Sequence, residues 1–406
     1  MKQINRQAVR ESLETRQLAF DDEQNSIITY PTFAELNEIL AGKFEIKMSV
    51  LEYGMPTFVV QWPGGTVPSR ENQNAVFNEL TKEADRLKLW PLVRWRNQAE
   101  GEYILRFVRK QETSPSNKKI NYALFIATIA SIAWAGFIQA TSPVFLTLFY
   151  PRGYTVWDIA FVTVTFILAL MGIIFTHEMG HYKMSQQLGI EASLPYFIPG
   201  IPWIGGTFGA FISQKSPPTT RRDLIDMGLA GPLAGFVVTV VVLIIGFFMS
   251  VPVTAEQLRA IEITFPSQSG SIGVPYLFNI MEYLFSGEIP PGGTIYLHPI
   301  AFAAWVGALV TSLNLFPIAQ LDGGHALRAI VNSKRHRQIG WIALILMVLA
   351  GYFVMAILVL AISSGGEHPG PLNDTLQVSR GRVILFVLSM IILVLCIIPL
   401  WQMPLI

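Results

Sequence analysis

Cysteine is almost absent from this chain, with one thiol, Cys396, in 406 residues. A lone cysteine closes no intrachain disulfide, so the fold does not depend on an oxidising compartment. Charge is also scarce. Asp, Glu, Lys and Arg make up 14% of the residues against 51% hydrophobic, and the formal net charge is +1. Without a basic excess, nucleic acid is not an expected partner. Few charges and a positive mean hydropathy suit most of the chain to lipid rather than water. Residues 1–10 lack the apolar core of a secretion signal. Glu11, Glu14, Asp21 and Asp22 follow at once, which is unlike a transit peptide.

What is present divides in two. Residues 1–110 are soluble in character and read as a small α+β domain. Thr32 and Glu35 have capping-box spacing ahead of a short helix through Leu36, Ile39 and Leu40. Strand-like runs cover Phe44–Glu52, Thr57–Trp62 and Tyr103–Val108. Between them Ser69 precedes a helix with Val76, Leu80, Ala84 and Leu87 on its apolar side, and Pro91 marks its expected end. A polar linker, 111–119, leads to a membrane-embedded core over 120–406. The fold class is thus a polytopic α-helical membrane protein preceded by a small soluble domain.

Six stretches are apolar enough to span a bilayer, which takes about 20 helical residues. They lie near Tyr122–Gln139, Val156–Lys183, Leu224–Met249, Pro299–Phe316, Gly340–Ile362 and Val383–Trp401. Lys118 and Lys119, then Lys183, Lys215, Arg221 and Arg222, then Arg328, Lys334, Arg335 and Arg337 fall on one side of the resulting topology. By the positive-inside rule both termini are expected in the cytoplasm, with a prokaryotic cell membrane as the setting. Arg380 and Arg382 fall on the other side as exceptions. Gly231 and Gly235 have small-xxx-small spacing and read as ordinary helix packing.

Residues 194–212 are apolar but broken by Pro195, Pro199, Pro202 and four glycines, so they form no continuous helix. Their aromatic side chains resist full solvation. A re-entrant loop or hairpin is expected, of the kind tolerated at membrane depth where it is buried or lines a wet cavity.

The chemistry is concentrated in Phe175-Thr176-His177-Glu178-Met179-Gly180-His181. On a helix, positions i and i+4 share a face, so His177 and His181 reach one metal ion, with Glu178 beside a water held there. Zinc lowers the pKa of its water to about 7 and polarises a carbonyl, while the carboxylate takes the proton. Three ionisable groups in or beside an apolar span are expensive unless they function. A catalytic zinc needs a third protein ligand. The polar candidates at membrane depth are Asp158, Asp226, His298, Asp322 and His325. Asp322 is the best placed, because Pro317 and the Gly323–Gly324 pair break the helix around it. His325 is in reach to hydrogen-bond the site from outside the ligand set. His298 reads as interfacial, and His336 and His368 as solvated loop positions.

Taken together, HExxH and the downstream stretch from Asn314 to Gly324, of the form NxxPxxxLDGG, resemble the site-2 protease family of intramembrane zinc metalloproteases. Ala230-Gly231-Pro232-Leu233-Ala234-Gly235 is similar to the family's weaker third motif. The final position of that motif, often Asn in the family, is Gly235 here, as in the cyanobacterial and chloroplast-like branch, which also carries an N-terminal soluble domain. The resemblance covers most of 156–330. It implies one Zn2+ per chain held by His177, His181 and Asp322, with Glu178 activating water. It also implies that Asn314 hydrogen-bonds the substrate or the developing oxyanion, and that the 194–212 segment pairs with an extended substrate. The implied activity is hydrolysis of peptide bonds in or near the transmembrane segment of single-span membrane proteins. The alternatives from other classes are a divalent-metal transporter and a catalytically silent membrane scaffold.

Overall fold

The computed structural model describes residues 17–21, 26–110, 117–266, 273–284, 289–353, 356–357, 359–360 and 368–398. It divides into two compact units. One contains residues 1–114 together with Pro217–Arg221 and Gly370–Val378, and the other contains the rest.

The first unit is a small α/β assembly. Strands β1 (Gln17–Asp21) and β2 (Ser26–Tyr30) form a hairpin. Helix α1 (Phe33–Leu40) follows, opened by a true capping box in which the Glu35 amide donates to Thr32 Oγ1 and the Thr32 amide to Glu35 Oε2. Strands β3 (Glu45–Glu52) and β4 (Met55–Gln61), helix α2 (Arg70–Arg86), and strands β5 (Leu89–Asn97) and β6 (Glu102–Arg109) complete it. The sheet is antiparallel in the order β3-β4-β6-β5. Leu36, Leu40, Phe58, Val60, Phe77, Leu80, Leu105 and Phe107 fill its core.

Strand β5 was not expected from the sequence, and α2 does not run to Pro91. The helix stops at Arg86, Lys88 turns the chain at φ +57°, and Pro91 lies inside β5. A proline is tolerated there because β5 is the last strand of the sheet and its outer side needs no ladder donor. That outer side is covered by distant sequence. Val93 donates to the Leu372 carbonyl at 2.8 Å, Leu372 donates to Pro218, and Asn373 to Thr219. Asp374 pairs with Arg221 Nε at 2.8 Å. Leu372 is buried in the core, so a compositional boundary at residue 110 leaves out two segments that the unit needs.

In the second unit, α3 (Lys118–Ala140), the short α4 (Pro143–Phe149) and α5 (Val156–Gln187) are followed by strands β7 (Tyr196–Pro199) and β8 (Thr207–Phe211). Helix α6 (Arg221–Phe248), strand β9 (Val251–Val253), helices α7 (Ala255–Thr264) and α8 (Tyr276–Leu284) and strand β10 (Thr294–Tyr296) come next. The unit ends with α9 (Pro299–Leu315), α10 (Asp322–Ile330), α11 (Ser333–Leu349) and α12 (Arg380–Cys396). Among the described residues three helices, α3, α5 and α6, are long and apolar enough to cross a membrane, and α9 is a shorter apolar helix. Their outward faces carry Trp134, Phe161, Leu168, Val237 and Phe248, all exposed, as lipid contact requires. Strands β7 and β8 pair antiparallel, Tyr196 opposite Phe211, so 194–212 contains a hairpin.

The stretch expected as a fifth span, 340–362, is described only over 340–353, 356–357 and 359–360. His336, near the start of α11, donates from Nε2 to the Gly324 carbonyl at 3.1 Å, and His368 lies 2.8 Å from His325 on the same helix α10. The chain thus leaves α10 and returns to it. Between these two contacts, the Tyr352 hydroxyl accepts from the Ile398 amide beyond the end of α12. Hydropathy along a sequence cannot distinguish one crossing from an out-and-back path. Arg382, an exception to the charge rule, has an acidic partner. Its guanidinium makes a two-pronged pair with Asp226, Nε and Nη2 each 2.7 Å from a carboxylate oxygen, early in α6 beside the other basic residues.

A candidate metal centre in the second unit

Helix α5 is 32 residues of apolar sequence opened by a Thr155–Asp158 capping box. That box accounts for Asp158 as a cap at the far end of the helix from His177. Two turns from the other end, His177 and His181 share one face with their rings 5.1 Å apart. Both are sheltered, and Glu178 between them is only 4% exposed.

The third group arrives from a loop. Helix α9 ends at Leu315, and the chain folds back on it through Pro317 and Ala319, the latter at φ +49°. A Cβ on Gly323 would overlap the Leu315 carbonyl, and one on Gly324 would lie 2.5 Å from the Ile318 and Ala319 oxygens. Only glycine permits a fold-back this tight. It carries Asp322, at the start of α10, into the bundle, where its Oδ2 lies 3.3 Å from His177 Nε2 and 3.2 Å from His181 Nε2. Ligand atoms of these three residues lie within 4.8 Å of one another, the one such group among the described residues.

The surroundings suit a metal. His181 Nδ1 is 2.8 Å from the Met227 carbonyl, which can only accept, so the ring proton resides on Nδ1 and the Nε2 lone pair points at Asp322. Two imidazoles and one carboxylate match the donor set of a catalytic zinc with an open position. Glu178 is within electrostatic reach of all three without being one of them. Asn314, in the last turn of α9, brings Nδ2 to 3.5 Å from His177 Nε2, too long for a strong hydrogen bond but beside the cluster.

The other sequence candidates have different duties. Asp226 is taken by Arg382. His298 is buried at 3% exposure rather than interfacial, caps α9 by accepting from the Ile300 amide, and stacks edge-on with Phe145 and Phe149. His336 and His368 are not solvated loop positions: His336 is 4% exposed and packs 5.4 Å from His368. Their burial comes from contacts across the fold-back of α11, which a linear reading does not see.

Residues of α6 count for more than ordinary packing. A Cβ on Gly231 would overlap the His181 ring, one on Gly235 would lie 3.0 Å from His177 Cβ, and one on Gly228 would lie 2.9 Å from the Asp322 carbonyl. These three glycines face the cluster at i, i+3 and i+7 and let α6 back all three candidate ligands. Their spacing on one helix face was the available signal.

With that geometry in place, residues 165–358 match the family described as Peptidase family M50. The chain carries a peptidase family M50 domain. This is the site-2 protease family to which the HExxH and LDGG motifs point. The M50 domain contains His177, Glu178, His181, Asn314 and Asp322. The chain is 30% identical over 270 residues to "Probable zinc metalloprotease EGY1, chloroplastic" of Arabidopsis thaliana, covering 65% of this chain and 46% of the relative. It is 30% identical over 181 residues to "Probable zinc metalloprotease EGY2, chloroplastic" of the same plant, covering 45% of this chain and 31% of the relative. To "Zinc metalloprotease MJ0392" of Methanocaldococcus jannaschii it is 23% identical over 174 residues, covering 43% of this chain and 36% of the relative. The chain therefore spans less than half the length of these curated relatives. No solved structure matches it.

Proposed function

We propose that the chain is an intramembrane zinc metalloendopeptidase that cuts single-span membrane proteins in or near their transmembrane segments. The observation that carries this reading is the convergence of His177, His181 and Asp322 beside a buried Glu178, within helices whose outer faces suit lipid. The M50 domain and the names of the relatives support it.

In this reading one Zn2+ is held by His177, His181 and Asp322, and supplies a Lewis acid that polarises the scissile carbonyl and lowers the pKa of water to about 7. Glu178 takes the proton from the attacking water and delivers it to the departing amine nitrogen. Asn314 donates its amide hydrogens to the substrate or to the oxygen that gains charge. His181, held by Met227, keeps its ring in register with Asp322. The β7–β8 hairpin offers an exposed strand edge, with Phe208 and Phe211 outward, to an unwound substrate. Unwinding is needed because a helical substrate hides its carbonyls in its own hydrogen bonds.

The proposed membrane arrangement keeps the N-terminal side of α3, the start of α6 and the α10 region on the cytoplasmic face, where the lysines and arginines lie. Arg382 joins that face through Asp226. Helix α12 then leads away from it, so its C-terminal end belongs on the opposite side, the reverse of the expectation from six single crossings. The proposed bilayer is a prokaryotic cell membrane, in keeping with a relative in an archaeon. A plastid membrane is the setting that the chloroplastic relatives put forward.

The test is cleavage of a single-span substrate in liposomes by wild type and by Glu178→Gln at matched zinc content. Cleavage by wild type alone, with zinc retained in both, supports the protease. Equal behaviour of the two, or wild-type protein without stoichiometric zinc, refutes it.

A further inference from the structure

The Asp322 ligand comes from an irregular loop, and that loop is held by histidines outside the ligand set. His336 reaches across from α11 and donates from Nε2 to the Gly324 carbonyl at 3.1 Å. His325, one turn beyond Asp322 on α10, faces the Gln320 carbonyl, and its Nδ1 lies 2.8 Å from His368 Nε2. A carbonyl only accepts, so the His325 ring nitrogen facing Gln320 carries the proton. Nδ1 is then the acceptor, and His368 Nε2–H is the donor. Burial first, and then neighbouring His325, His336 and Arg328, keep the His368 imidazole neutral and well below its usual range, as this pattern needs. On its other side His325 lies close to α6, where a Cβ added at Gly228 would be 3.1 Å from the His325 Cβ. His368 lies beyond the residues that match the M50 family, 165–358. The trio does not form a second metal site. The His325 and His368 nitrogens are at hydrogen-bond distance from each other, and His336 Nε2 is committed to a carbonyl.

We propose that His368, acting through His325, and His336 are positioning residues that fix the Gln320 and Gly324 carbonyls on either side of Asp322 and so pre-set its carboxylate for the metal. This rests on the metal-site reading above. The loop carries Ala319 at positive φ and runs straight into the two glycines at the start of α10, held by short-range turn bonds such as Leu321 N–H to the Ile318 carbonyl. Neutral imidazole donors at both ends add to that restraint, in the way that outer partners orient metal ligands elsewhere.

The experiment uses the full chain in detergent, with zinc affinity measured by chelator competition and the absorption spectrum recorded after Co2+ substitution. His368→Phe fills the same space without a donor, and His368→Gln restores an N–H. The expected result is zinc binding weaker by about 10- to 100-fold in His368→Phe, with a changed cobalt spectrum, and recovery of both in His368→Gln. Equal affinities and spectra in wild type, His368→Phe and His368→Gln overturn the proposal. If the His368 variants do not fold, His336→Phe against His336→Gln is judged by the same criterion at the Gly324 carbonyl. Wild-type protein that binds no zinc defeats the metal-site reading itself, a result distinct from failure of the positioning role.

Discussion

The two units solve opposite problems with the same residue types. In the first, Phe58, Leu105 and Phe107 are wholly buried in the core. In the second, Leu168 and Phe161 face out at 67% and 58% exposure, while His177 and Glu178 are among the most buried polar groups. Burial of apolar area drives the first. In lipid that force is absent between helices, and close backbone approach with polar contacts takes its place. Glycines mark the difference: Gly180, Gly231 and Gly246 sit where an added Cβ would collide with a neighbouring helix, whereas Gly42, Gly64 and Gly101 of the soluble unit meet nothing within 4 Å.

Four substitutions, one of them with a control, would break or sharpen this contrast. The largest effect is expected from Glu178→Gln, which should reduce cleavage by on the order of 10³-fold while zinc content is unchanged, measured by product formation and metal analysis. Next, Phe58→Ala should destabilise the soluble unit by about 3–5 kcal/mol in denaturant titration, with zinc stoichiometry intact. Gly231→Ala places a methyl in the His181 ring. It should weaken zinc binding by about 10-fold or more, whereas Gly381→Ala, with open space around it, should not. The smallest effect is expected from Leu168→Ala. A lipid-facing leucine loses no protein contact, so thermal stability in detergent should change by no more than about 0.5 kcal/mol. A cost like that of Phe58→Ala would mean that this face packs against protein.

Much of the site was legible because it is local. His177, Glu178 and His181 lie within five residues on one helix, and their relation follows from 3.6 residues per turn. Asp322 was legible by elimination and by resemblance, since its loop signals were in view. The Thr32 capping box was local too, and it formed. The failures were all at long range. Pro91 ended a helix on paper but lies in a strand whose outer edge is covered by Leu372 and Asn373. The flanks of 340–362, His336 and His368, both meet α10, which hydropathy along the chain does not show. His298 read as interfacial and His336 as solvated, and both are buried; His368 read as solvated and is half-buried against His325.

The sequence by itself determined the chemical inventory: which helix carries the imidazoles, where helix must break, and which long helices are apolar enough to suit lipid. These follow from periodicity, backbone sterics and transfer free energy, which act over a few residues at a time. Only the tertiary structure decided that three glycines of α6 back His177, His181 and Asp322, that Asp226 belongs to Arg382, and that His368 meets His325. Contacts between residues tens to hundreds of positions apart depend on how helices pack, and no local preference encodes them.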